Sequence, residues 1–354
     1  MKAAAATVLS LALLSLGAPT TALPVRRVQM RRLSGLNPAV VPSGLAIVDG
    51  HPLVMDGYSD RLLMLGAHGR PIAAWGSIGG QVGEFYHPNA IAASNGRIAI
   101  LDQANGRVQV LSDAGSVERL IPISSSFSIS RSIAMSPDGT VVVSDPESQT
   151  AALGLFLRPD GSRQPGAPGL SAANLYPGAD VDRFERAAHF VWLTSGERGS
   201  IYAAYAIAPV VQKFDRLGRN VFTVRLSGHF ARRLETFFLR YPPGENGMLK
   251  SVLGGTPADL VLKSIAVDER SGDIYVLTGL NRVYRLARNG RQLGCLQLDF
   301  GNGGGVPPGA TGIAVDGNAI FAICIFRPGI YKGNISALVA GKINRVSRTQ
   351  RGGD

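Results

Sequence analysis

The stretch from Gly83 to Leu111, GEFYHPNAIAASNGRIAILDQANGRVQVL, decides the fold. Ile91-Ala92 opens an apolar strand, Asn95-Gly96 supplies a turn that accepts positive φ, and Ile98, Ile100 and Leu101 follow as a second strand. In Arg107-Val108-Gln109-Val110-Leu111 the two valines face one way and Arg107, Gln109 and Leu111 the other, the period of a strand lying between two environments. Between these strands sits Asp102-Gln103-Ala104-Asn105-Gly106, whose residues hydrogen-bond their own backbone or tolerate left-handed dihedrals. Asp113-Ala114-Gly115 then turns the chain into a fourth strand, Val117 to Ile121. Four short strands in about forty residues make one propeller blade.

Working outward, the apolar pair that opens this blade recurs as Leu45-Ala46, Ile91-Ala92, Ile133-Ala134, Ile265-Ala266 and Ile313-Ala314, at steps of 46, 42, 132 and 48 residues. The long step holds one further clear blade, with strands at Phe190 to Thr194, Ile201 to Tyr205, Val210 to Asp215 and Asn220 to Leu226. The expected fold is all-β, a six-bladed β-propeller of four-stranded antiparallel blades over residues 23–346, with 347–354 as a disordered tail. Ile320 to Phe326 and Ile335 to Val339 are expected to continue the sixth blade. Val25 to Leu33, VRRVQMRRL, reads as a strand in which Val25 faces apart from Val28 and Met30. A circular array needs one terminus to complete the blade begun by the other. Composition agrees: 44 glycines in 354 residues exceed the usual ~7%, and 17% charged residues fall below the usual ~25%.

Residues 1–22 read as a signal peptide. Lys2 gives the positive start, Ala3 to Leu16 is apolar, and Gly17 to Ala22 ends in small residues suited to cleavage after Ala22. The mature chain contains no apolar run approaching ~18 residues, the length of a membrane helix. The expected location is therefore periplasmic or extracellular. A net charge of +11 implies attraction to anionic surfaces.

Gly83-Glu84-Phe85, His87-Pro88, Ile91-Ala92, Asp102-Gln103 and Asn105-Gly106-Arg107-Val108-Gln109-Val110 together resemble an NHL repeat, the blade unit of a family of β-propellers. The resemblance implies recognition of protein, and in some intracellular cases RNA, through a rim or face; the signal peptide argues against nucleic acid here. Asp102 and Arg107 stand five residues apart, as do Asp56 and Arg61, and both pairs read as a carboxylate and a guanidinium closing the loop between second and third strands.

A propeller places its ligand over the central channel, at the starts of the innermost strands. The residues two before each aligned pair are Ser43, Asn89, Arg131, Lys263 and Thr311. They predict a polar, net positive ring suited to a small anion or acidic sugar. Two insertions break the repeat. Residues 163–182, rich in proline and glycine, read as a long surface loop. Residues 228–262 contain Phe230 to Leu239 as a short helix, whose aromatic cluster and Arg232, Arg233 and Arg240 would cap one mouth of the channel and meet an anionic partner.

Oxygen ligands from several blades, or clustered histidines, would be needed for a metal, and the ring positions offer one asparagine and no carboxylate. The five histidines, His51, His68, His87, His189 and His229, occupy dissimilar blade contexts. The expected function is an exported, monomeric binding or scaffolding module for a protein or an anionic envelope component, with no cofactor. The second reading is a metal-dependent hydrolase or lyase of lactonase type over the channel, and calcium belongs to that reading alone. Cys295 and Cys324 sit among apolar neighbours as buried thiols do, although export also permits a bridge.

Overall fold

The computed structural model describes residues 24–123, 132–144, 154–165, 169–177, 188–240, 261–301, 309–324 and 327–336. The leader 1–22, Arg131 and the tail 347–354 lie outside that set.

Alternating short strands and positive-φ turns fold into six sheets. Blade one comprises Pro42–Val48, His51–Asp56, Arg61–Leu65 and Pro71–Trp75, and blade two Pro88–Ser94, Arg97–Asp102, Arg107–Ser112 and Val117–Pro122. Blade three comprises Ile133–Met135, Val141–Ser144, Gly154–Leu157 and Arg163–Pro165, and blade four Val191–Ser195, Ile201–Tyr205, Val210–Phe214 and Asn220–Arg225. Blade five is built on Leu262–Val267, Ile274–Thr278, Arg282–Leu286 and Gln292–Asp299, and blade six on Ala310–Asp316, Ala319–Cys324 and Gly329–Asn334. Within each blade, strands adjacent in sequence pair antiparallel. The first strand of each blade packs beside the first strand of the next, and the sixth returns to the first, closing the ring. Asn95-Gly96 turns with φ of 50° and 69°, as expected, and Asp49-Gly50 does the same at 48° and 76°. The second strands are buried except for the half-buried first residues His51, Arg97 and Ala319, with Leu53 to Met55 and Ile98 to Leu101 at 0% exposure, because each blade is covered on both faces by its neighbours.

The N-terminal segment completes the ring and does more. Strand β1 (Val25–Gln29) adds to blade five as a fifth strand, parallel to Gln292–Asp299, with Val25 opposite Cys295. Strand β2 (Arg31–Arg32) then pairs antiparallel with Gly329–Asn334 and closes blade six. The single expected strand is thus two strands. Between them the chain steps across blades at Met30, which is 3% exposed and donates its N–H to Asp299 O at 2.7 Å. Val25 points out at 52% exposure while Val28 is 2% exposed.

Three boundaries differ from expectation. The third strand of blade six is Gly329–Asn334, ending just before Ile335, and residues 337–339 of the expected continuation lie outside the described set. Its glycines imitate a turn, yet Gly333 is required in the strand: a Cβ there would lie 2.6 Å from both Met30 Sδ and Val28 Cγ1. Residues 163–182 are not simply a surface loop. Arg163–Pro165 is the outer strand of blade three, and helix α1 (Ala172–Leu175) packs Ala172, Leu175 and Tyr176 into the core beside blade four. The amide of Leu170 donates to the Tyr205 hydroxyl at 2.8 Å, fixing that approach. In the second insertion, helix α2 (His229–Arg240) forms where a helix was expected, but Leu262 already belongs to blade five. Ala231 is buried, and the Arg282 guanidinium stacks 4.3 Å from the Phe230 ring centroid. Among the described residues no helix is long and apolar enough to cross a membrane.

Candidate functional site in the central channel

Ser43, Asn89, Lys263 and Thr311 share a backbone device. In blade one the register passes from Pro42 opposite Asp56 to Gly44 opposite Met55, so Ser43 has no partner across the ladder. The same shift isolates Asn89 between Pro88 and Ala90, Lys263 between Leu262 and Ser264, and Thr311 between Ala310 and Gly312. An extra residue in one strand bends it and re-aims a side chain. All four line one cavity of about 930 Å³ on the ring axis. In blade four, Trp192, Leu193, Thr194 and Ser195 face the same space.

The bulges hold their side chains by neighbouring backbone. Ser43 Oγ reaches Met55 O at 3.3 Å and Pro88 O of the next blade at 3.4 Å, and Thr311 Oγ1 donates to Ile323 O at 3.4 Å. The Asn89 amide nitrogen donates to Gln103 Oε1, while its buried Oδ1 has no hydrogen-bond partner among the described residues. Lys263 is only 4% exposed, and its Nζ lies 3.4 Å from Gly279 O. Burying an ammonium is costly unless a counter-charge or acceptors meet it. Nearby, burial pushes the Cys324 thiol up to about 12, with the Lys263 charge pulling the other way. Cys295 is likewise buried, and both thiols are free.

The far end of the cavity has the opposite character. Asp49, Asp268, Glu269, Arg270 and Asp316 stand where the innermost strands turn back. Asp268 is 4% exposed and accepts from Ser271 Oγ at 2.6 Å and from the Gly317 N–H at 3.1 Å; Arg270 pairs with Asp316 at 3.0 Å. Burial, reinforced by Asp268, Asp316 and Asp49, pushes the Glu269 carboxyl above its ordinary range. Among the described residues the channel therefore carries Lys263 at one mouth and a set of carboxylates at the other. These carboxylates stand at the ends of the innermost strands, away from the positions two before each apolar pair. Their signal in the sequence is Asp49-Gly50 and Asp316-Gly317, hairpin turns whose aspartates stand three and two residues beyond the aligned pairs.

Among the described residues, no three histidine, cysteine or carboxylate side chains converge as metal ligands. In the acidic mouth Asp268 accepts from backbone and hydroxyl donors and Asp316 pairs with Arg270. No histidine lines the cavity among the described residues. His51 Nδ1, for example, lies 3.2 Å from Leu65 O, away from the axis.

Other expected site residues stand elsewhere. Arg232 and Arg233 lie exposed on α2 and do not line the channel; the side chain of Arg240 is outside the described set. Asp102 and Arg107 close the loop of blade two at 2.7 Å, as expected. In blade one Asp56 instead accepts from Val41 N, Tyr58 N and Ser59 Oγ, at 3.0, 3.2 and 2.5 Å, and Arg61 projects outward.

No family model matches the chain. The solved structures it resembles include virginiamycin B lyase from Staphylococcus aureus, 14% identical over 87% of this chain and 98% of that one, with a TM-score of 0.53. A gluconolactonase from Xanthomonas campestris is 14% identical over 87% of this chain and 89% of its own, with a TM-score of 0.50. A protein of unknown function from Bacteroides thetaiotaomicron is 10% identical over 89% of this chain and 75% of its own, with a TM-score of 0.54. At these identities the likeness concerns the fold, and what the chain is similar to is a six-bladed β-propeller.

Proposed function

We propose that this is an exported propeller, built from NHL-like blades, that binds a small anionic molecule in its channel. The observation that carries the reading is Lys263: a nearly wholly buried ammonium delivered by a β-bulge into a cavity of about 930 Å³. Ligand pockets commonly hold roughly 300–1,000 Å³ and combine apolar walls with a few placed polar groups. Here Ala, Ile and Leu side chains of the innermost strands form the walls. Lys263 meets the anionic group, the unpartnered Asn89 Oδ1 accepts from a ligand hydroxyl, and Ser43 and Thr311 add hydroxyls at the same level. The carboxylates of the far mouth repel an anion, so the ligand enters from the Lys263 side. An acidic sugar fits this description.

Turnover is the second reading. The named activities of the fold neighbours invite it, and Glu269, a carboxyl held more protonated than usual in the same cavity, is the observation in its favour. The test titrates the mature protein with glucuronate, galacturonate and the neutral parent sugars by calorimetry, following each mixture by NMR for product. An acidic sugar is expected to bind where its parent does not, and Lys263→Met is expected to weaken it by about tenfold or more, the scale of one charge-assisted contact. Full affinity in Lys263→Met sinks the reading. Product formation abolished by Glu269→Gln moves it to catalysis.

A further inference from the structure

On the face where the innermost strands end, a second cavity of about 380 Å³ opens between blades four and five. Its walls are the 3-10 turn Glu197–Gly199, Lys213, the turn from Asp215 to Arg219, and Arg288 from the matching turn of blade five. Five cations, Arg198, Lys213, Arg216, Arg219 and Arg288, meet two carboxylates. Both carboxylates are already engaged. Glu197 pairs with Arg288, and Asp215 pairs with Arg219 at 2.7 Å while accepting the N–H groups of Leu217 and Arg219 at 2.9 and 3.0 Å. Arg198, Lys213 and Arg216 are left without a carboxylate partner among the described residues, and the Lys213 ammonium lies 5.1 Å from the Tyr202 ring centroid.

Like charges on a surface ordinarily spread apart. Here short turns hold them together, and Arg198 is held in an unfavourable way. Its φ of 56° and ψ of 28° place it in the left-handed region, which glycine or asparagine adopts more readily than arginine. A non-glycine residue kept in such a conformation points to a use for its side chain.

We propose that this pocket binds a phosphate group. The guanidinium forks of Arg198 and Arg216 match phosphate oxygens two at a time, Lys213 adds a point charge, and Ser200 adds a hydroxyl at the same wall. The group arrives as free inorganic phosphate or as a monoester terminating a larger molecule.

Calorimetry at low ionic strength, with inorganic phosphate and methyl phosphate as separate titrants, tests this on the mature chain. Wild type and the control Arg31→Ser/Arg61→Ser, two exposed arginines on other blades, are expected to bind alike. Arg198→Ser/Arg216→Ser is expected to bind about tenfold or more weakly, since two charge-assisted contacts are gone. Binding of either titrant supports the proposal, and which one binds identifies the source. Failure of wild type to bind either titrant, or equal weakening in pocket and control variants, overturns it. Arg198→Gly guards against misfolding: glycine takes the same backbone angles without penalty, so its Tm should match or exceed that of wild type while affinity falls. Undiminished affinity in Arg198→Gly overturns the proposal.

Discussion

Asp102 is completely buried and accepts hydrogen bonds from Tyr86 N at 2.8 Å, Arg107 Nε at 2.7 Å and Gln109 Nε2 at 3.1 Å. Arg107 and Gln109 pass the constraint on, donating to Glu84 O at 3.0 and 2.6 Å, so the loop before blade two is tied to its third strand. This is the physical content of the letters Gly-Glu-Phe, Asp-Gln and Asn-Gly-Arg-Val-Gln-Val in the repeat. Removing one partner of a buried ion pair strands the other, at a cost of about 3–5 kcal/mol. Asp102→Ala is expected to lose stability on that scale in urea denaturation. Asp56→Ala, whose partners are neutral donors, should lose only about 1–3 kcal/mol. Equal losses would mean that the Arg107 pairing contributes nothing. The spacing of five suggested the same pair in both blades. It could not reveal that the Ser59 hydroxyl and two backbone amides already occupy Asp56.

At the scale of elements, legibility followed locality. Blade two was plain in the sequence because its turns and its alternation are properties of neighbouring residues. The bulge positions were legible too, because a register counted from an apolar pair survives from blade to blade. What escaped depended on distant partners. Gly333 reads as a turn residue until Val28 and Met30 are laid against it, and residues 170–176 read as loop until Tyr205 is found beneath them. The split of the N-terminal segment into β1 and β2 was hidden for the same reason, since only the edges of two finished blades tell the chain where to step. Met30→Ala is therefore expected to cost about 2–5 kcal/mol, as for other buried methionines, whereas Val25→Ala, already in solvent, should lie within about 0.5 kcal/mol of wild type. Chemical denaturation midpoints check the contrast, and a silent Met30→Ala would show that the step between blades is not a packing site.

For the whole molecule, charge is spread unevenly over the blades. The chain carries a net +11, yet the channel runs from a buried lysine to a set of carboxylates, while arginines gather on α2 and in the pocket between blades four and five. A long-range field of this kind draws polyanions and is screened within about 8–10 Å at ordinary ionic strength. The protein is expected to be retained on a heparin column at low salt and released as salt rises. Arg232→Ser/Arg233→Ser should elute earlier. Retention indifferent to salt would remove the polyanion reading.

The fifth strand on blade five has a consequence in time. Val25 to Gln29 cannot take their places until Cys295, about 270 residues later, has been made. Until then Val28 and Met30 stay wet and two sheets keep unfinished borders, an arrangement that folds slowly and invites association with other chains. Until that pairing forms the ring is an open horseshoe, exposed to chaperones and proteases for as long as the wait lasts.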